Sequence, residues 1–147
     1  MKKLFTLLMQ VSFALFLNSC ATEQKVEIEN LDRSLIELTR AVKAVMGEPR
    51  AISENQREFY STYFSRVPSD KFDPNKSKER LTARFIILGD RRPYNIEITV
   101  FIQRRNENGY QVAGTDKGLA NELRKELKAK LAQGQGGMNV IDDFRAF

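Results

Sequence analysis

The chain has 147 residues, which is enough for one modest domain and too few for two. Hydrophobic residues make up 41% and charged ones 29%, with a net charge of +5, a globular balance and not a disordered one. There is no histidine and only one cysteine, which excludes Ser-His and Cys-His catalysis, histidine metal sites, an internal disulfide and a thiolate metal cluster.

The chain opens with Met1-Lys2-Lys3, followed by a run over residues 4–17 that is apolar apart from Thr6, Gln10 and Ser12. Such a run is too short and too interrupted for a permanent bilayer span, and it fits the apolar core of a signal peptide. It ends in Leu17-Asn18-Ser19-Cys20. This ending resembles the lipobox of bacterial lipoproteins, with an aliphatic residue at −3, a small one at −1 and then the cysteine; Asn18 at −2 is less usual there. The resemblance covers residues 1–20, and it rests on basic start, apolar run and cysteine falling at the right distances. It implies that Cys20 receives a diacylglycerol thioether, that residues 1–19 are removed, and that the new amine is acylated. Several acyl chains hold a protein on a membrane stably where one does not. Ala21, in place of an aspartate after the cysteine, implies outer-membrane sorting with the body in the periplasm. Loss of Lys2 and Lys3 lowers the net charge to +3 and leaves a body with neither thiol nor imidazole.

Residues 20–27 read as the lipidated cysteine and a polar tether. From Ile28 the apolar positions Ile28, Leu31, Leu35, Leu38, Val42 and Val45 step by three and four, which predicts a helix from Ile28 that absorbs Asn30 or Asp32 in its first turn and is stopped by Gly47-Glu48-Pro49. The same spacing matches a coiled-coil seam, but it lasts under three heptads, so packing on the protein's own sheet is preferred to a partner helix. Phe59, Tyr60, Tyr63 and Phe64 suit a helix by spacing and a strand by composition; the strand is preferred. Residues 68–77 form a loop by their prolines and turn formers.

Residues 80–88 are a strand, with Leu81, Ala83, Phe85 and Ile87 on one face, and residues 89–93 are a turn. Tyr94, Ile96, Ile98, Val100 and Ile102 alternate with partners of mostly polar character, the pattern of a half-buried antiparallel strand. Asn106-Glu107-Asn108-Gly109 is a hairpin turn into a short strand. Asp116 caps a last helix striped by Leu119, Leu123, Leu127 and Leu131 and ended by Gly134-Gln135-Gly136-Gly137. The apolar tail, residues 138–147, is expected to dock back on the domain, with Asp142-Asp143 as an alternative partner motif. The expected fold is α+β: a helix, a three- to four-stranded antiparallel sheet and a helix, as a two-layer sandwich over residues 28–132, with 133–147 as Gly-rich linker and tail.

No phosphate loop, nucleophile elbow or paired-carboxylate pattern appears, so no enzymatic activity, no metal and no cofactor beyond the covalent lipid at Cys20 is expected. Charge is more informative. Residues 76–105 carry Lys76, Lys78, Arg80, Arg84, Arg91, Arg92, Arg104 and Arg105 against Glu79, Asp90 and Glu97. With residue 88 beside 94 and 81 beside 101, Lys78, Arg80, Arg104 and Arg105 would meet at one end of the hairpin, while Arg91 and Arg92 project from the other. Arginine forks suit phosphate and carboxylate groups. The alternative is a solvated rim whose charges discourage edge-to-edge pairing.

For a periplasmic lipoprotein, nucleic acid is not expected as a ligand, whereas anionic lipids, glycans and acidic envelope proteins are. In size and layout the chain is broadly similar to small lipoproteins that serve lipopolysaccharide transport and barrel assembly. That similarity implies a non-catalytic accessory subunit of envelope biogenesis with an envelope protein partner. The alternative is a binding module for an anionic lipid or glycan at the basic hairpin ends. A third reading is a structural envelope lipoprotein whose first helix pairs with a second copy.

Overall fold

The computed structural model describes residues 23–133. The signal segment, Cys20 and the predicted glycine linker and docking tail lie outside the described residues. In chain order the elements are β1 (Val26–Leu31), α1 (Leu35–Met46), β2 (Ala51–Ile52), β3 (Glu58–Tyr60), β4 (Glu79–Leu88), β5 (Tyr94–Asn106), β6 (Gly109–Thr115) and α2 (Lys117–Gln133). The α+β class and the two helices agree with the sequence expectation. The sheet has six strands where three or four were expected, and among the described residues a strand, not a helix, comes first.

All strand pairs are antiparallel, in the order β1-β5-β4-β3-β2. β5 is the longest strand, at 13 residues, and serves two partners along one edge. Val26 to Leu31 pair with its first half, and Gly109 to Thr115 with its second. The two meet near Val100, whose carbonyl accepts from Asp116 N at 2.9 Å.

Both helices cover one face of the sheet. Leu38, Ala41 and Val42 from α1 and Ala120, Leu127 and Leu131 from α2 join Val26, Ile28, Phe59, Leu81, Phe85, Ile87, Ile96, Ile98 and Val100 in one core. Burying side chains of this size stabilises by about 1.5–3 kcal/mol each. α1 therefore spends its apolar face on its own sheet and on α2, as preferred over a coiled coil.

Three expectations are corrected. Val26 and Glu27 belong to a strand and not to a tether. Ile28 and Leu31 are strand residues: Ile28 pairs with Ile96, and Asn30 sits at φ 57°, outside the helical region. α1 begins only after its cap, Ser34, so Asn30 and Asp32 precede the helix and are not in its first turn. The Ser34 hydroxyl accepts from Glu37 N at 3.2 Å, while the Glu37 carboxylate accepts from Ser34 N at 3.0 Å. That reciprocal pair satisfies two N-terminal donors that the helix itself leaves open.

The capping pair carries a pH dependence. The hydrogen bond from the Ser34 backbone holds the Glu37 carboxyl below its ordinary value, and the Ser34 hydroxyl adds to the effect. A lowered folded-state pKa contributes stability above the ordinary value of about 4.5, and the contribution is lost as pH falls through the folded value. Ser34→Ala should cost about 1 kcal/mol at neutral pH. In urea unfolding, Glu37→Gln should also destabilise at neutral pH, and its gap from the native protein should narrow as acid protonates the native carboxyl. A gap that is absent at neutral pH, or widens in acid, would contradict this assignment.

The end of α1, the cap of α2 and the β5–β6 turn stand where expected. α1 ends at Met46 with Gly47 following at φ 73°. Asp116 caps α2, its Oδ1 accepting from Leu119 N at 3.0 Å. The two-residue turn Glu107-Asn108 joins paired Asn106 and Gly109, and Gly109 adopts φ 110°, a region that a Cβ would strain. Residues 50–68 contain two short strands and an isolated bridge between Phe64 and Leu81.

Candidate functional site

The hairpin register differs from the expected one by a single residue. Leu88 pairs with Asn95 and Leu81 with Ile102. In a sheet, one residue of slip exchanges the two faces of a strand. With this register Leu81, Ala83, Phe85 and Ile87 share a face with Ile96, Ile98, Val100 and Ile102, and both apolar sets enter one core. The expected register would have put one set on the opposite face from the other.

The slip redistributes the cations. Arg104 pairs with Glu79, and its Nε reaches the Glu79 carboxylate at 3.1 Å on the helix side of the sheet. Arg80 pairs with Gln103, and Arg105 N donates to the Lys78 carbonyl at 2.9 Å, which places Lys78, Arg80 and Arg105 together on the open side. The four basic residues therefore do not converge. Three share one face and the fourth is held by an acid on the other. Arg91 and Arg92 sit at the far end of the hairpin, about 30 Å along the strands. There Arg91 is exposed and Arg92 approaches Asp32 at 3.9 Å.

On the open face the long side chains lie flat over the sheet. The Arg80 guanidinium is sandwiched between Tyr63 and Tyr110, 3.6 Å from each ring centre. Its Nε donates to Gln103 Oε1 at 2.8 Å and its Nη1 to the Pro74 carbonyl at 3.2 Å. Arg50 extends the stack, 4.7 Å from the Tyr63 ring and 6.0 Å from Tyr60. A guanidinium over a tyrosine face is attracted by the ring quadrupole and keeps its apolar plane off water. Arg50, Tyr63 and Tyr110 were not singled out from the sequence. Residues 50, 63, 80 and 110 come from separate segments, and no local pattern signals their stack. Exposed Val112 stands two residues from Tyr110 on the same face. Among the described residues, Lys78 and Arg105 have no carboxylate partner.

The middle of this face is an ion-pair network. Tyr60 donates to Glu58 Oε1 at 2.6 Å, which raises the Tyr60 hydroxyl pKa. Arg84 lies 4.0 Å from the same carboxylate and 5.0 Å from the Phe101 ring centre, and it also pairs with Glu23. Lys25 pairs with Glu97, which raises the lysine pKa. Gln24 N donates to Thr115 Oγ1 at 3.1 Å. Three consecutive residues, 23 to 25, are thus fastened to β4, β6 and β5. Glu23, where the described residues begin, therefore lies on the open face and not among the helices.

Elsewhere the surface holds shallow grooves. One, beside α1, is lined by Leu35, Ile36, Thr39, Arg40, Lys43 and Gln56. It assembles no nucleophile with a base. Among the described residues, no three of His, Cys, Asp or Glu gather in a way that could hold a metal ion, and no helix is long and apolar enough to cross a membrane. No protein-family model, curated protein or solved structure matches the chain.

Proposed function

We propose that this chain is a non-catalytic lipoprotein, anchored through Cys20 to the outer membrane on its periplasmic side, that acts by contact as an accessory or assembly subunit of envelope biogenesis. The observation that carries this reading is the N-terminal sequence: Lys2-Lys3, the apolar run and Leu17-Asn18-Ser19-Cys20, which resembles a lipobox. Composition supports a contact role, because the body has no histidine and no thiol for acid–base, nucleophilic or soft-metal chemistry. The sharing of one face by Lys78, Arg80 and Arg105 favours a second reading, in which the body binds an anionic lipid or glycan there.

The accessory role predicts a stable envelope partner. Photo-crosslinking in living cells from the exposed position Ile36 on α1 should repeatedly recover the same envelope protein. Recovery of phospholipid alone would favour the second reading, and recovery of no repeated adduct would count against the subunit role.

A further inference from the structure

We infer that the open face of the sheet is the membrane-facing side of the domain and rests on an anionic phospholipid surface, led by its Arg50, Lys78 and Arg105 end. This rests on the proposed lipid anchor at Cys20 and adds the orientation and the surface that it imposes.

Chain length supplies the first argument. Only Cys20, Ala21 and Thr22 precede Glu23, which pairs with Arg84 of the open face. Three residues reach at most about 10 Å when fully extended. Gln24 and Lys25 are held to Thr115 and Glu97, so slack cannot be gained by peeling the segment away without breaking those contacts. A lipid-bearing Cys20 therefore holds the middle of this face close to the headgroups. The helices lie on the opposite side of the sheet and face away.

Surface chemistry supplies the second. In the middle of the face Glu58 and Glu23 share Arg84, Glu97 takes Lys25, and Glu27 accepts from Asn95 Nδ2 at 3.0 Å, so the cations without an acid lie toward one end. Along the stack that crosses the face from the β2–β3 edge to β6, Arg50, Lys78 and Arg105 remain without a carboxylate among the described residues, beside Tyr63 and Tyr110 and exposed Val112. Cations beside amphipathic rings suit the boundary between headgroups and acyl chains, and an anionic surface attracts them within about one Debye length, roughly 8 Å at physiological salt. The short tether keeps the face within about that range.

The body's lack of thiols makes the test direct. Purified full-length lipidated protein carrying a single added cysteine at Val112→Cys or Ile36→Cys takes a polarity-sensitive dye at that position. It is reconstituted in vesicles bearing a headgroup quencher, made of phosphatidylcholine with phosphatidylglycerol. The dye at 112 should be quenched severalfold more than the dye at 36, with the difference reduced by high salt and by Lys78→Gln with Arg105→Gln. Equal quenching, or stronger quenching at 36, would overturn the orientation, including the case where a protein partner occupies the open face. A difference indifferent to phosphatidylglycerol, salt and the double substitution would overturn the anionic surface. Protein that carries no lipid and does not enter the vesicles would instead overturn the anchor, an outcome read separately from its mass.

Discussion

Replacing Cys20 by serine should move the whole of the protein from the membrane fraction to the soluble one. On the proposed reading the anchor would supply nearly all of the attachment. Each buried methylene contributes about 0.8 kcal/mol, so a single long acyl chain supplies on the order of 10 kcal/mol before the entropy of confinement, and two or three chains make release negligible. The cations of the open face supply about 1 kcal/mol each near an anionic surface. Under the proposal, Arg50, Lys78 and Arg105 together would orient the domain but could not hold it without the lipid. Lys78→Gln with Arg105→Gln should leave the protein in the membrane fraction, whereas Cys20→Ser should not. Fractionation of cells expressing each variant distinguishes the two contributions. A Cys20→Ser protein that stays with the membrane would show that the body itself, or a segment other than the lipid, is the anchor.

Truncating Phe85 should be the most damaging single change to the folded body. Phe85 is fully buried at the centre of β4, paired with Phe59 on one side and Ile98 on the other. Phe→Ala in such a site costs about 3–5 kcal/mol, through lost burial and through the cavity left behind. A body of this size has about 5–15 kcal/mol in total, so Phe85→Ala should remove about a fifth of it or more. Ile36, half exposed on the outer side of α1 at 52%, serves as the control. Ile36→Ala should change stability by about 0.5 kcal/mol or less. Urea unfolding monitored by far-ultraviolet circular dichroism checks both. Equal effects from the two substitutions would mean that the core does not run between the helices and the sheet.

The central hairpin was legible because its signal is local. Five alternating apolar positions from Tyr94 to Ile102 and four from Leu81 to Ile87 each name a strand and its buried face. The register was also implicit in them. One apolar set falls on odd numbers and the other on even, so the sum of paired residue numbers must be odd for both to face one core. Counting inward from the turn ignored that parity and put Arg104 on the wrong side.

β1 was missed for a different reason. Ile28 and Leu31 continue the three-and-four spacing of α1, but Val26 and Ile28 find their partners in Ile98 and Ile96, far along the chain. Edge pairing of this kind leaves no local trace. A local signal did exist for the true helix start, the Ser34-x-x-Glu37 capping box. The run Phe59, Tyr60, Tyr63, Phe64 resisted a single period because the chain changes conformation within it. Phe59 and Phe64 pair with Phe85 and Leu81 and face the core, while Tyr60 and Tyr63 meet Arg50 on the open face. The arginine–tyrosine stack, built from four distant segments, exists only once the sheet has formed.

The central claim is that Cys20 is an acylated N-terminus, and mass spectrometry of the mature protein's first peptide tests it most directly. The account predicts a chain that begins at Cys20, with a diacylglycerol thioether on its sulfur and an acylated amine. An unmodified chain that begins at Ala21, or one that retains residues 1–19, would contradict it.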